Sequence, residues 1–201
     1  MIFKNMSKIK TIGKEIYVYE NFLSIQECDS IYNILKNMPD KEWHTRKDYP
    51  IPAFSKNLDE TKIIFNKLKN VILAYDVFLT ESFVKLNKGD FWGEHSDNAD
   101  FEETRKKSLT LKDNEPFEIV DNTAYGIVVY INDNYQGGEI YYPTQNIVYK
   151  PKAGDLVVHS AEDLAVHGVQ TVIDGTRFSY SSHLSTELKV PLNGWYKRFI
   201  W

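Results

Sequence analysis

The chain has 201 residues, 42% of them hydrophobic and 26% charged, a balance that indicates one soluble globular domain and argues against a disordered or fibrous protein. The formal net charge of −4 argues against the basic field that usually gives a protein non-specific affinity for nucleic acid. Cys28 is the only cysteine, which excludes an intrachain disulfide, and we find neither a signal peptide nor an apolar run long enough to span a membrane, so we expect a cytoplasmic protein with no membrane partner.

Two helices are predicted in the first part of the chain. A strand over residues 16–22 leads into Ser24, and Ser24 with Glu27 fits a capping box, in which each side chain bonds the backbone amide of the other residue. The helix that starts there should end before Pro39, because proline cannot continue a helix. A second helix is predicted over residues 58–73, where apolar residues recur with a helical period.

From residue 82 onward the pattern changes to short β-rich runs separated by turns rich in Gly, Asn and Asp. This pattern favours an antiparallel sandwich or jelly roll with the helices packed on one outer face. We therefore expect a single α+β, mainly β domain over residues 1–201, with helical support at about 22–75 and a jelly-roll core at about 82–185. The predicted strands are residues 83–86, 125–131, 139–142, 147–149, 156–159, 166–172 and 177–183.

Residues 99–122 interrupt the β-rich pattern. The stretch carries many charged residues and is long for a simple connection between strands. Two interpretations stay open for it: a lid that closes over a site, or a solvated insert.

His95, Asp97 and His167 are predicted to bind one metal ion. His95 and Asp97 are two residues apart, so on an extended segment their side chains point the same way. His167 opens a β-rich run late in the chain, and a jelly roll brings such distant strands face to face. Two imidazoles and one carboxylate hold a non-haem iron(II) on one face and leave positions open for a co-substrate and dioxygen. We interpret these three residues as the metal ligands and the catalytic centre.

Arg177 and Ser179 are predicted to bind a co-substrate. A five-carbon dicarboxylate that chelates iron at one end needs its distal carboxylate neutralised, and a guanidinium offers a bidentate match for it. Ser179 lies two residues further on, on the same face of the strand, and can donate its hydroxyl to the same carboxylate.

The turn before Arg177 decides whether that residue can face His167. A two-residue turn would put the two side chains on opposite faces of a hairpin. A three-residue turn over residues 174–176 pairs Ile173 with Arg177 and turns the side chains of His167 and Arg177 inward. We predict the three-residue turn, with Gly175 at positive φ.

Several other residues have two interpretations. His159 follows a buried-looking strand, which favours a hydrogen-bonded core histidine over a metal ligand, and His183 is likewise interpreted as structural, with a supporting role near the metal as the alternative. Trp92, Tyr135 and Tyr142 lie near the expected mouth of the site, where Trp92 and Tyr142 are our candidates for substrate binding. Packing within the sheets is the alternative for each aromatic residue.

Taken in order, these motifs resemble the 2-oxoglutarate- and iron(II)-dependent dioxygenases, and within them the prolyl 4-hydroxylase-like branch. The resemblance spans nearly the whole chain. It is carried by residues 21–28, by Gly89-Asp90-Phe91 before His95-Ser96-Asp97, by residues 128–132 before Gly137-Gly138-Glu139, by residues 151–155 before His167, and by Arg177-Phe178-Ser179.

The resemblance implies a double-stranded β-helix in which 2-oxoglutarate is decarboxylated to succinate while the substrate is hydroxylated, most simply a prolyl residue in a protein or peptide. Iron(II), 2-oxoglutarate and O2 would then be required, with ascorbate as a further candidate. Tyr130 matches a family tyrosine that often hydrogen-bonds the co-substrate. Asp97 favours hydroxylation, because related halogenases lack this carboxylate.

The chain also departs from its relatives. Residues 84–86, on the strand before the metal pair, lack the aromatic residue that often helps to hold the co-substrate. The animal collagen enzymes use lysine at the position of Arg177, although many microbial relatives use arginine. His183 stands where nucleic-acid demethylating relatives carry a second arginine, which argues against a nucleic-acid substrate.

Two alternatives to a prolyl substrate stay open. Hydroxylation of a free amino acid or other small molecule would use the same catalytic residues and differ only in the wall of the pocket. A jelly-roll binding module without enzymatic activity is the other alternative, but it does not explain why Arg177 and Ser179 accompany the metal set. The sequence does not indicate an oligomeric state.

Overall fold

The structure is a computed structural model, and it describes residues 3–4, 9–45, 52–55, 59–72, 76–97 and 117–191. Its helices are α1 (Ile25–Lys36) and α2 (Asp59–Val71). Its strands are β1 (Ile9–Gly13), β2 (Ile16–Tyr19), β3 (His44–Thr45), β4 (Pro52–Ser55), β5 (Asp76–Asn87), β6 (Trp92–His95), β7 (Phe117–Tyr130), β8 (Gln136–Gly137), β9 (Ile140–Tyr142), β10 (Ile147–Tyr149), β11 (Leu156–Ser160), β12 (His167–Val169), β13 (Val172–Asp174) and β14 (Thr176–Pro191). Among the described residues, no helix is long and apolar enough to cross a membrane.

The strands form two facing sheets and a short ribbon. The large sheet has eight strands in the order β1-β2-β11-β7-β14-β5-β4-β3, and the small sheet has four in the order β10-β9-β12-β6. Strands β13 and β8 pair separately. All of these pairings are antiparallel. The predicted jelly roll is therefore confirmed.

Alternation along the strands divides the residues of the large sheet between two cores. Ile127 and Val129 of β7 belong to the cluster that includes the buried faces of α1 and α2. Tyr130 and the half-buried Val128, on the opposite face, belong to the cluster shared with β9 of the small sheet. The large sheet thus lies between the two helices and the small sheet, which confirms the expected packing of the helices on one outer face.

Local sequence patterns predicted both helices correctly. The Ser24 hydroxyl accepts the Glu27 backbone amide at 3.3 Å, while the Glu27 carboxylate accepts the Ser24 amide at 2.7 Å, so the predicted capping box is present. Helix α1 ends at Lys36, before Pro39, and α2 lies within the predicted range of residues 58–73.

The predicted hairpin around Gly175 is wrong. Val172 and Asp174 of β13 pair with Gly137 and Gln136 of β8, whereas Arg177 of β14 pairs with Leu86 of β5. The chain passes at this turn from the ribbon of β13 and β8 into the large sheet, so Ile173 and Arg177 are not cross-strand partners and no hairpin register relates His167 to Arg177. Gly175 does have positive φ, at +80°, as predicted.

The β-rich core also extends beyond its predicted limits. Strand β14 continues past residue 185 to Pro191, and its last residues pair with residues 117–122, which form the start of β7. Part of the stretch predicted as a lid or an insert is therefore a strand of the large sheet. The rest of that stretch, residues 99–116, lies outside the described residues.

Candidate functional site

Three predicted metal ligands meet between the two sheets. His95 ends β6 and His167 begins β12, and the two residues are antiparallel partners in the small sheet. Asp97 follows two residues after the end of β6. Its Oδ1 lies 3.8 Å from His95 Nε2 and 3.9 Å from His167 Nε2, and all three donor atoms lie within 4.8 Å of one another. This arrangement lets one ion touch all three groups.

Backbone carbonyls orient both imidazoles of this triad. His95 Nδ1 lies 2.9 Å from the Gly93 carbonyl, and His167 Nδ1 lies 3.1 Å from the Ala165 carbonyl. A carbonyl can only accept, so each Nδ1 carries the proton and donates it. Each Nε2 is then left with its lone pair toward Asp97 Oδ1, as a metal ligand requires.

The protonation states of the triad suit a cation. Burial alone would raise the pKa of Asp97, but His167, the hydrogen bond from His159, and His183 outweigh it and hold the pKa of this carboxyl well below its usual range. Burial lowers the pKa of His167 to about 3, and the neighbouring His159 and His95 contribute to the shift. At neutral pH the carboxylate is charged and the His167 imidazole is neutral, which are the forms that bind metal.

The predicted co-substrate residues lie on the large sheet. Arg177 is 2% exposed, its Nη1 donates to Ser179 Oγ at 3.0 Å, and its Cζ lies 4.9 Å from the centroid of the Tyr130 ring. Among the described residues, no carboxylate lies within ion-pair distance of this guanidinium. Ser179 and Tyr130 are cross-strand partners on β14 and β7, which explains why the three side chains share one face.

Buried polar atoms surround the Arg177 guanidinium. In the described part of the chain, Arg177 Nε and the hydroxyls of Tyr130 and Tyr135 are buried without a well-formed hydrogen bond, and the guanidinium lies close enough to both hydroxyls to act on their pKa. Burial raises the pKa of both tyrosines, so each hydroxyl keeps its proton and can donate it. Gly138, at φ +67°, lies beneath this group, where a Cβ atom would come 3.2 Å from Arg177 Cδ and 3.1 Å from the Tyr135 ring.

The two predicted substrate residues lie in different surroundings. Trp92 is half-buried and stacks on His95, with ring centroids 5.4 Å apart and planes 20° apart, so it borders the triad. Tyr142 is fully buried, and its hydroxyl lies 2.9 Å from His159 Nδ1. That contact favours a structural role for Tyr142 over a contact with substrate.

Two residues near the site were given other interpretations from the sequence. His159 is buried and hydrogen-bonded, as expected, but its partner is Asp97 Oδ2 at 3.1 Å. Tyr135 was considered only as an aromatic of the mouth, yet its hydroxyl lies in the buried group around Arg177. Alternation with Val157 could have predicted that the His159 side chain points toward the small sheet, but it carries no signal for the contact with Asp97.

Solved structures with this fold include three oxygenases. A viral collagen prolyl hydroxylase from Paramecium bursaria Chlorella virus-1, in a complex with 2-oxoglutarate, is 20% identical over 87% of this chain and 97% of that one, with a TM-score of 0.56. A Pseudomonas putida prolyl-4-hydroxylase is 15% identical over 86% and 92%, with a TM-score of 0.60. A 2-oxoglutarate-Fe(II) oxygenase family oxidoreductase from Burkholderia pseudomallei is 16% identical over 85% and 84%, with a TM-score of 0.55. At these identities the likeness shows a shared fold. No family sequence model and no curated protein sequence matches the chain.

Proposed function

We propose that this protein is a 2-oxoglutarate- and Fe(II)-dependent dioxygenase that hydroxylates a prolyl residue in a protein or peptide. The observation that carries the proposal is the convergence of His95, Asp97 and His167, whose donor atoms, one from each residue, lie within 4.8 Å of one another. Two neutral nitrogens and one carboxylate oxygen are the donor set typical of non-haem Fe(II) oxygenases.

The group around Arg177 fits an anionic co-substrate. A buried cation without an anionic partner is costly, and so is a buried hydroxyl that makes no hydrogen bond. One carboxylate can accept from Arg177, Ser179, Tyr130 and Tyr135 at once and so remove both costs. A dicarboxylate that reaches from this group to the metal, such as 2-oxoglutarate, fits both parts of the site.

The chain's own residues then have distinct tasks. His95, Asp97 and His167 would hold the iron, and the group around Arg177 would bind and orient the far end of the co-substrate. When bound, iron and 2-oxoglutarate supply the activation of O2 and the oxidation of the substrate. Burial of Asp97 and His167 reduces the access of water to this centre.

The prolyl substrate is supported by the shared fold, since two of the three solved structures are described as prolyl hydroxylases. The half-buried Trp92 beside His95 offers an apolar surface at the edge of the triad, where a pyrrolidine ring could pack. Free amino acids and other small molecules are the alternative substrate class, and the assay below separates the two classes.

The test is turnover with defined substrates. Purified protein is supplied with Fe(II), 2-oxoglutarate and O2 together with either proline-rich peptides or free amino acids, and both succinate and the gain of one oxygen atom by the substrate are measured. We expect succinate in an amount that matches hydroxylated peptide. Asp97→Ala should abolish both products, whereas Asp133→Ala, which removes an exposed aspartate, should change neither. Hydroxylation of a free amino acid alone would contradict the peptide substrate, and failure to form succinate with any substrate would contradict the oxygenase.

A further inference from the structure

The two oxygens of the Asp97 carboxylate lie in different surroundings. Oδ1 faces the Nε2 atoms of His95 and His167 at 3.8 and 3.9 Å. Oδ2 lies 3.1 Å from His159 Nε2, at hydrogen-bond distance. His159 is 1% exposed, so this hydrogen bond is shielded from water. The carboxylate therefore has one oxygen directed at the triad and the other held by a residue outside it.

Tyr142 contacts the other ring nitrogen of His159. The Tyr142 hydroxyl lies 2.9 Å from His159 Nδ1, and both side chains are buried between the sheets. The Asp97 carboxylate can only accept, so the ring proton lies on Nε2, and the lone pair of Nδ1 accepts the proton of the Tyr142 hydroxyl. His159 Nε2 can then donate to Asp97 Oδ2, whereas a bare Nε2 would set two lone pairs against each other.

Gly126 provides the space in which the carboxylate lies. This residue is on β7, and its cross-strand partners are His159 on β11 and His183 on β14. A Cβ atom at Gly126 would collide with Asp97 Oδ2 and with His159 Nε2. Only glycine lets the carboxylate approach the backbone of the large sheet so closely. His183 lies on the strand at the other side of β7 from His159, and its Nε2 is 3.8 Å from Asp97 Oδ1.

We propose that His159, oriented by Tyr142 and lying beside Gly126, is a positioning residue that turns Asp97 Oδ2 away from the metal and offers Oδ1 alone. The inference rests on the proposed function, because it assigns Asp97 as a ligand with a single oxygen. One oxygen from Asp97 and one nitrogen from each imidazole would occupy three coordination positions. The remaining positions would stay open for a co-substrate and dioxygen.

The first experiment needs no metal and tests the contact itself. In metal-free protein, the ring ¹⁵N shifts of His159 should show a proton on Nε2 and none on Nδ1. The reverse tautomer, with the proton on Nδ1, would overturn the proposal, because Nε2 could not then donate to Asp97. His159→Phe should lower Tm in the wild-type background and lower it clearly less in the Asp97→Ala background. The reason is that only the wild-type background contains a carboxylate that loses its hydrogen-bond donor. Equal shifts in both backgrounds would also overturn it.

The second experiment measures metal affinity by titration with Mn(II), which reports binding without turnover. Removal of a residue that hydrogen-bonds to a metal ligand and orients it typically weakens metal affinity by about 10–100-fold. We expect a loss in this range for His159→Phe and for Gly126→Ala, and a smaller loss of a few fold for Tyr142→Phe. His159→Gln keeps an amide donor directed at Oδ2 and should recover part of the affinity.

Two matched controls separate positioning from general damage. Tyr149→Phe also removes a tyrosine hydroxyl with a hydrogen bond, at 2.7 Å to Asp155 Oδ2, and Tyr149 packs on the same core cluster as Tyr142. Gly13→Ala, on the edge strand β1, also adds a Cβ that collides with neighbouring side chains, those of Ile147 and Gln145, as a match for Gly126→Ala. Both variants should bind Mn(II) within about twofold of wild type. If His159→Phe lowers Tm but leaves Mn(II) affinity unchanged, His159 is only structural and the proposal is wrong. If the wild type binds no metal, the proposed function fails, while the tautomer and the unfolding cycle still decide whether His159 holds Asp97.

Discussion

His95 and His167 lie directly opposite each other on β6 and β12, with their ring centroids 4.4 Å apart. This pairing brings together two residues from distant parts of the chain and sets both Nε2 atoms near Asp97 Oδ1. The small sheet therefore builds the triad, while the large sheet supplies the group around Arg177. The predictions below test each half separately.

Removal of Arg177 should weaken co-substrate binding without weakening metal binding. Arg177→Met keeps most of the buried volume but loses the cation, so we expect the Kd for 2-oxoglutarate, measured in the presence of Mn(II), to rise by roughly 10–100-fold, as for a hydrogen-bonded charged pair. The Kd for Mn(II) alone should stay within about threefold. The exposed Lys152 offers a control, and Lys152→Met should change neither constant. An equal loss of both affinities in Arg177→Met would contradict the role given to Arg177.

The Tyr130 and Tyr135 hydroxyls should matter only when the co-substrate is bound. Neither hydroxyl proton has an acceptor in the described part of the chain, because the neighbouring Arg177 can only donate, so Tyr130→Phe and Tyr135→Phe should leave Tm unchanged or raise it slightly. Both variants should bind 2-oxoglutarate about 3–30-fold more weakly, since each removes a donor to a carboxylate. Tyr149→Phe, which breaks an existing hydrogen bond, should show the opposite pattern. A fall in Tm with unchanged affinity in Tyr135→Phe would exclude that residue from the co-substrate site.

The metal-free protein should lose stability as pH falls from about 6.5 toward 4. The pKa of His167 is about 3 in the folded state, against 6.5 as its ordinary value, so over this interval the unfolded chain binds a proton that the folded chain does not. The lowered pKa of Asp97 acts in the same direction at lower pH, because its contribution is present above its ordinary pKa and is lost as pH falls through the folded value.

Urea unfolding at several pH values measures this effect. Between pH 6.5 and 4.5 we expect a loss of about 2 kcal/mol from His167, at 1.36 kcal/mol per unit of pKa difference. His167→Gln should remove most of this loss. An unchanged pH dependence in that variant would show that His167 is not held neutral by burial.

Gly175 should be required for the passage between the sheets. Its φ is +80°, and an added Cβ would lie 3.1 Å from the Asn134 carbonyl oxygen and 3.2 Å from Tyr135. Gly175→Ala should therefore lower the free energy of unfolding by about 1–2 kcal/mol through backbone strain. Gly93→Ala, where the new Cβ has open space, should cost less than half as much. Equal costs for the two variants would show that the turn tolerates other conformations.

Signals that act over a few residues predicted their structures well. The capping box at Ser24 and Glu27 and the positive φ of Gly175 depend on neighbours in sequence, and the structure has both. The hairpin at Ile173 and Arg177 failed because periodicity says which face a side chain takes but not which strand pairs with it. Strand β13 pairs with β8, and β14 pairs with β5 and β7, so β13 and β14 do not pair with each other as a hairpin would.

The candidate site also has a part that the sequence predicts and a part that depends on the packing of distant strands. His95, Asp97 and His167 could be selected from residue type and spacing, and the structure brings their donor atoms together. The contact between His159 and Asp97 could not be predicted from the sequence, because it requires β11 to lie beside β7 and Gly126 to leave room for the carboxylate. The position of Tyr135 beside Arg177 was missed for a similar reason, since it follows from the packing of Arg177 in the interior of the fold.

The central claim is that one site binds Fe(II) through the triad and 2-oxoglutarate through the group around Arg177. Its most direct test is the visible charge-transfer absorption that appears when Fe(II) is chelated by a 2-oxo acid, measured without oxygen during titration with 2-oxoglutarate. We predict a saturable band in the wild type, no band in Asp97→Ala, and in Arg177→Met the same band at a higher 2-oxoglutarate concentration. A wild-type protein that shows no band at saturating Fe(II) and 2-oxoglutarate would contradict the account.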